Sequence, residues 1–176
     1  MIKGVIFDLD DTLTTHEDLY NLNYLKTIYK FFPDLNIPKD KILEIIIGIV
    51  DKIGTKKYFN NYYHNVKFGG RDLLWGDCGG YGNIPQYTKN IQLDLRYEIW
   101  NEIIDNLSVK TEVKTSKIIS YYIEIMWRGI KVFDDVIETL NYLRNYKLAV
   151  LTLSLIHISE PTRRYAISYA VFCLKK

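Results

Sequence analysis

Val5-Ile6-Phe7-Asp8-Leu9-Asp10-Asp11-Thr12-Leu13 is a short apolar run that ends abruptly in three carboxylates within four positions. Residues Ile2 to Phe7 have the length and β-branched content of a strand buried on both faces, as in the parallel sheets of α/β folds. Such a strand delivers its C-terminal end to the crevice where open α/β sheets bind ligands. Alternate residues of an extended chain face the same way, so Asp8 and Asp10 are expected to project into one site while Leu9 packs away from it. Two like charges that close are unfavourable unless a cation lies between them, and a magnesium ion with oxygen ligands is the usual answer.

Asp8-Leu9-Asp10-Asp11-Thr12, followed by Leu13 and Thr14, resembles the first motif, DxDxT, of the haloacid dehalogenase superfamily of phosphatases. The placement adds to the resemblance, because that family also has the motif directly after an apolar strand near the N-terminus. The resemblance implies that Asp8 attacks phosphorus to form an aspartyl-phosphate, a known role for carboxylate nucleophiles. It also implies that Asp10 acts as general acid and base, protonating the leaving alcohol and then activating water, and that both carboxylates ligate Mg2+. An Asp-rich turn that merely caps a helix is the plain alternative, since Asp is common at caps. Asp11 and Thr12 suit that local role, with Thr12 bonding backbone near Asp8.

A chain of 176 residues suits one domain or a small core with an inserted module, and 48% hydrophobic with 14% aromatic content is ample for a folded interior. No run of eighteen or more apolar residues exists, so no membrane span is expected. The N-terminus enters the first strand without a basic region, apolar region and cleavage site, so no secretory signal is expected either. Cys78 and Cys173 have no partner spacing that suggests a disulfide framework or a zinc site. A reducing cytoplasm is the default expectation.

Residues 153–176 read differently from the rest. Leu153 to Arg163 looks like the translation of a transposase-type sequencing adapter. Arg164 to Ala166 leaves the room of a sample index, Ile167 to Leu174 looks like the adapter's continuation, and Lys175-Lys176 like a run of A. This tail is therefore set aside from functional reasoning, as a tag would be. Tyr165 to Leu174 is β-prone, but no function is attached to it. The tail holds four basic residues and one acid, so residues 1–152 carry 19 basic and 20 acidic residues, net −1. The basicity of the whole chain is thus no nucleic-acid signal.

From Asp18 the spacing of Leu19, Leu22, Leu25, Ile28, Tyr29 and Phe32 predicts a helix, which Pro33 closes. Pro38 suits the first turn of a second helix, whose Ile42, Leu43, Ile45, Ile46, Ile49, Val50 and Ile53 are too apolar for a free surface. Glycines and aromatics then alternate, and Lys67 to Pro85 is expected to be a long loop or loose hairpin. Such a loop is a candidate lid, in which Arg71, Trp75 and Asp77, with Asp72 and Tyr81, are placed to select the leaving group of a substrate. Helical spacing resumes at about Asn90 and again from Thr115, where Gly129 looks like a C-cap. These faces carry aromatics and few basic residues, unlike a nucleic-acid platform.

Val132 to Leu140 begins a helix with Asp134 or Asp135 as its cap and Val136, Leu140 and Leu143 on its inner face; Lys147 to Thr152 follows as a second buried strand. By resemblance Thr152 is the second motif, whose hydroxyl and following N–H hold phosphoryl oxygens. The fold class expected is therefore α/β, a Rossmann-like core contributing its first two parallel strands, with an α-helical cap inserted. Residues 1–15 and 130–152 would form the core, 16–129 the cap, and 153–176 neither.

The family's third-motif lysine and fourth-motif acids are not found, so the 176-residue polypeptide is expected to be inactive or nearly so. Its full-length parent is expected to be a magnesium-dependent phosphomonoesterase of a small phosphorylated metabolite, resembling phosphoglycolate phosphatase-type members. A haloacid dehalogenase is a second reading, against which Asp10 argues, and a phosphomutase uses the same two Asp residues. A non-catalytic binding protein, with Asp8 and Asp10 incidental, is the reading from a different class.

Overall fold

The computed structural model describes residues 2–56, 70–76, 86–152 and 170–173, with the backbone alone for 55–56, 86–91, 152 and 170–173. The apolar run before Asp8 forms strand β1 (Gly4–Phe7), followed by helices α1 (Glu17–Phe31), α2 (Lys39–Lys56), α3 (Gly70–Leu73), α4 (Gln86–Asn106), α5 (Thr115–Gly129) and α6 (Val136–Tyr142). Strands β2 (Lys147–Thr152) and β3 (Ala170–Cys173) complete the element order. β1 and β2 pair in parallel, Gly4 opposite Lys147 and Phe7 opposite Val150, so a long helical excursion separates two neighbouring strands. The chain is thus α/β with helices predominating, as the sequence implied. β3, from the segment read as adapter, adds antiparallel to the other side of β2.

Two hydrophobic clusters form. The larger is helical: Tyr20, Tyr24 and Ile28 of α1 meet Ile42, Ile46 and Val50 of α2, Ile99, Trp100 and Ile103 of α4, and Ile118, Tyr122 and Met126 of α5. Each set repeats at three- and four-residue spacing, which places it on one stripe of its helix. Ile42, Ile46, Ile49 and Ile53 of α2 are accordingly buried against other helices, while Ile45 and Ile47 stay partly exposed. The smaller cluster, Leu13, Val136 and Val150 with Phe7, Leu9 and Leu140, joins the sheet to α6 and to the turn after β1.

Four expectations are corrected by tertiary context. β1 is covered on one face only among the described residues: Phe7 reaches the small cluster, whereas Ile6, pointing the other way, is 66% exposed. Part of the glycine-rich stretch is ordered, for α3 forms one helical turn and Leu73, Leu74 and Trp75 enter the large core. The glycines there serve close approach: a Cβ on Gly54 of α2 would lie 2.7 Å from the Gly70 Cα. Gln92 and Arg96 of α4 then donate to the carbonyls of Leu73 and Gly76, which anchors the end of that turn. Gly129 is the last residue of α5 and no left-handed cap, since none of the described glycines has positive φ; its missing side chain leaves room for Leu19 of α1. Asp135 does occupy the N-cap of α6, but its side chain makes no capping bond.

Candidate active site

β1 ends at Phe7, and the next seven residues fold into a tight turn around one carbonyl. Leu9 O accepts the amides of Leu13 at 2.9 Å and Thr14 at 3.0 Å, with Thr12 N at 3.4 Å and the Thr14 hydroxyl at 3.2 Å. Leu9 packs on the small cluster, as its alternation with Asp8 and Asp10 predicts. Asp8 is exposed at the strand end, one carboxylate oxygen accepting the Leu9 amide at 2.8 Å. Asp10 is half-buried and bridges Thr14 through its backbone. Asp11 has φ 55°, in the left-handed region that Asp tolerates better than most side chains.

Asp11 carries the local role expected of it. Its Oδ1 accepts the amides of His16 at 2.8 Å and Glu17 at 2.9 Å, the first turn of α1. Thr12 is exposed and its amide donates to Leu9 O, so it bonds backbone within the turn. The chain leaves and re-enters this region side by side. Thr15 N donates to Lys131 O at 2.8 Å, Lys131 N donates to the Thr15 hydroxyl at 3.2 Å, and Phe133 N donates to Leu13 O at 3.1 Å.

Because β2 runs parallel to β1, its C-terminal residue Thr152 closes at the same edge of the sheet from which Asp8 emerges. The Thr152 side chain and Asp77 lie outside the described residues. Arg71 and Trp75 are brought together around Tyr20: the Arg71 guanidinium lies 5.9 Å from the Tyr20 ring centroid and the Trp75 indole N–H donates to the Tyr20 hydroxyl at 3.4 Å. Trp75 is only 1% exposed. His16 lies tilted against it, ring centroids 5.1 Å apart, and Tyr20 donates to the Asp72 carboxylate. Burial raises the Tyr20 phenol far above its ordinary value, and the Asp72 charge adds to the shift. His16 and Tyr20 were not singled out from sequence; their i, i+4 spacing at a helix start was the available signal.

The donor chemistry of Asp8 and Asp10 suits magnesium, which takes oxygen ligands and commonly binds through one or two carboxylates together with waters and substrate phosphate. Among the described residues no group of three or more His, Cys, Asp or Glu could hold a metal unaided. Nor, among them, is any helix long and apolar enough to cross a membrane.

A parallel strand pair that delivers a carboxylate turn to its C-terminal edge, with helices inserted between the strands, places that turn where open α/β sheets bind their ligands. The haloacid dehalogenase-like hydrolase family matches residues 2–168, and the chain belongs to that family. That match runs past Thr152, so it does not set the segment read as adapter apart. No curated protein matches the chain.

Proposed function

We propose that the parent protein is a magnesium-dependent phosphomonoesterase of a small phosphorylated metabolite, with residues 1–15 and 130–152 as core and 16–129 as cap. The observation that carries this reading is the turn after β1, which holds Asp8 exposed at the strand end and Asp10 two residues on, beside the terminus of β2. Asp8 attacks phosphorus as the ester P–O bond breaks, and Asp10 in its acid form gives its proton to the leaving alcohol. Asp10, now a carboxylate, takes a proton from water, whose oxygen attacks the phosphorus and releases Asp8 and inorganic phosphate. Bound magnesium, held by Asp8 and Asp10, would neutralise charge on the transferring phosphoryl group. Thr152 is assigned to a phosphoryl oxygen, Thr12 supports the turn, and Arg71 and Asp77 bias the choice of leaving group; Trp75, expected from sequence to share that role, is buried in the helical core instead.

Residues 153–176 have no part in this reading. The 176-residue chain is expected to turn over phosphomonoesters slowly or not at all, and magnesium-dependent turnover by the purified chain would sink that part. In the parent, Asp8→Asn is expected to lower kcat by at least about a thousandfold, since it removes the nucleophile. Turnover unchanged in Asp8→Asn would support a non-catalytic role for the motif. Phosphate release across a panel of phosphorylated acids, sugars and alcohols, with and without magnesium, then reads the substrate class.

A further inference from the structure

We infer that Asp11 is a positioning residue that makes α1 and the turn presenting Asp8 and Asp10 one mechanical unit. Its backbone, at φ 55°, is of the kind glycine adopts at least cost. A carboxylate stands there instead, and its Oδ1 accepts both His16 N at 2.8 Å and Glu17 N at 2.9 Å. His16 occupies the N-cap of α1, yet its own side chain makes no capping bond. The cap of this helix therefore comes from inside the turn, five residues upstream. In the other direction Asp11 N donates to Thr14 O at 2.8 Å, and Thr14 N shares the Leu9 carbonyl with Leu13 N. A continuous series of hydrogen bonds thus runs from the first turn of α1 through Asp11 to the residue between Asp8 and Asp10.

The bonds at the helix end are charge-assisted, and the positive end of the α1 dipole favours a carboxylate there. Removing the carboxylate leaves two helix amides without their acceptor and releases the turn from α1. The catalytic consequence, that a displaced α1 displaces the two reacting carboxylates, rests on the roles proposed above for Asp8 and Asp10. The mechanical coupling does not, and it is measured without turnover.

The experiment is amide hydrogen exchange on the full chain as wild type, Asp11→Gly and Asp11→Asn. In Asp11→Gly the His16 and Glu17 amides are expected to exchange about five- to tenfold faster, as loss of a cap implies. The Leu13 and Thr14 amides accelerate with them, while Ile99 and Ile103 in the helical core hold their wild-type rates. Asp11→Asn keeps an acceptor oxygen and tolerates the left-handed backbone, so it is expected to bring both pairs back to within about threefold of wild type. Acceleration confined to His16 and Glu17 would reduce Asp11 to a simple helix cap and overturn the inference, as would no acceleration at either pair. If the glycine variant also loses protection at Ile99 and Ile103, the asparagine variant decides: its weaker acceptor must speed the two pairs by a common factor, and speeding one pair alone overturns the coupling.

Discussion

Tyr122 shows how far a single side chain in this protein is committed to packing rather than polarity. Its ring stacks on Tyr24 with centroids 5.2 Å apart and meets Trp100 edge-on at 5.3 Å, and its buried hydroxyl interacts with that of Tyr24. Tyr122→Phe keeps every ring contact and gives up only the interaction between the two hydroxyls, so it is expected to cost about 1 kcal/mol. Tyr122→Ala opens a cavity between α1, α4 and α5 and is expected to cost about 3–5 kcal/mol. Chemical denaturation of both variants checks this, and a Phe variant as unstable as the Ala variant would reveal a larger bonding role for the hydroxyl. At this scale the motif was fully legible in the sequence, because Asp8, Asp10 and Asp11 are defined by spacing alone. The bond from Asp11 to α1 was not, since a cap five residues upstream of the helix depends on how the turn closes.

At the scale of elements, α2 carries two glycines six positions apart whose environments are opposite. Gly48 is exposed and a Cβ there would meet nothing within 4 Å, whereas a Cβ on Gly54 would lie 2.7 Å from backbone of α3. Gly48→Ala is expected to stabilise by about 0.5–1 kcal/mol, the ordinary gain of alanine over glycine in a helix. Gly54→Ala meets rigid backbone and is expected to destabilise by about 1–3 kcal/mol despite the same propensity gain. Thermal unfolding of the two variants should shift in opposite directions, and a stabilised Gly54→Ala would mean that α3 can move away from α2. Periodicity located α1, α2, α4 and α5 to within a few residues because each buries one stripe. It missed α3, where Leu73, Leu74 and Trp75 form a contiguous apolar run too short to show a period.

At the scale of the whole molecule, the helical core keeps three buried phenols in their neutral form. Burial pushes Tyr24 up to about 12 and raises Tyr122 well above its ordinary value, and Tyr20 is raised by burial and then by the Asp72 charge. A phenol whose folded pKa is raised contributes stability that is complete below the unfolded value, near pH 10, and is lost as the pH rises towards the folded value. Stability is therefore expected to be insensitive to these groups up to about pH 9 and to fall above about pH 10, by up to about 1.4 kcal/mol per pH unit for each phenol. For Tyr24 the loss is spread over the window from about 10 to about 12. A melting temperature followed from pH 8 to 12 reads the effect, and Tyr24→Phe should make the alkaline fall shallower; a flat profile through pH 11 would mean the phenols ionise within the folded protein.

The sequence determined the class of this protein through the resemblance of Asp8 to Thr12 to a family motif, while local period placed an apolar strand before Asp8, stripes of isoleucine and aromatic residues along four helices, and a second strand ending at Thr152. Only the tertiary structure decided that the glycine-rich stretch sends Trp75 into the core beside His16, that Ile6 stays exposed on one face of β1, and that Asp11 reaches across to α1. The physical reason is the same in each case. A period reports which face of an element is apolar, but which neighbour covers that face, how closely its backbone approaches, and where a turn aims its side chains are settled only when the chain closes in three dimensions.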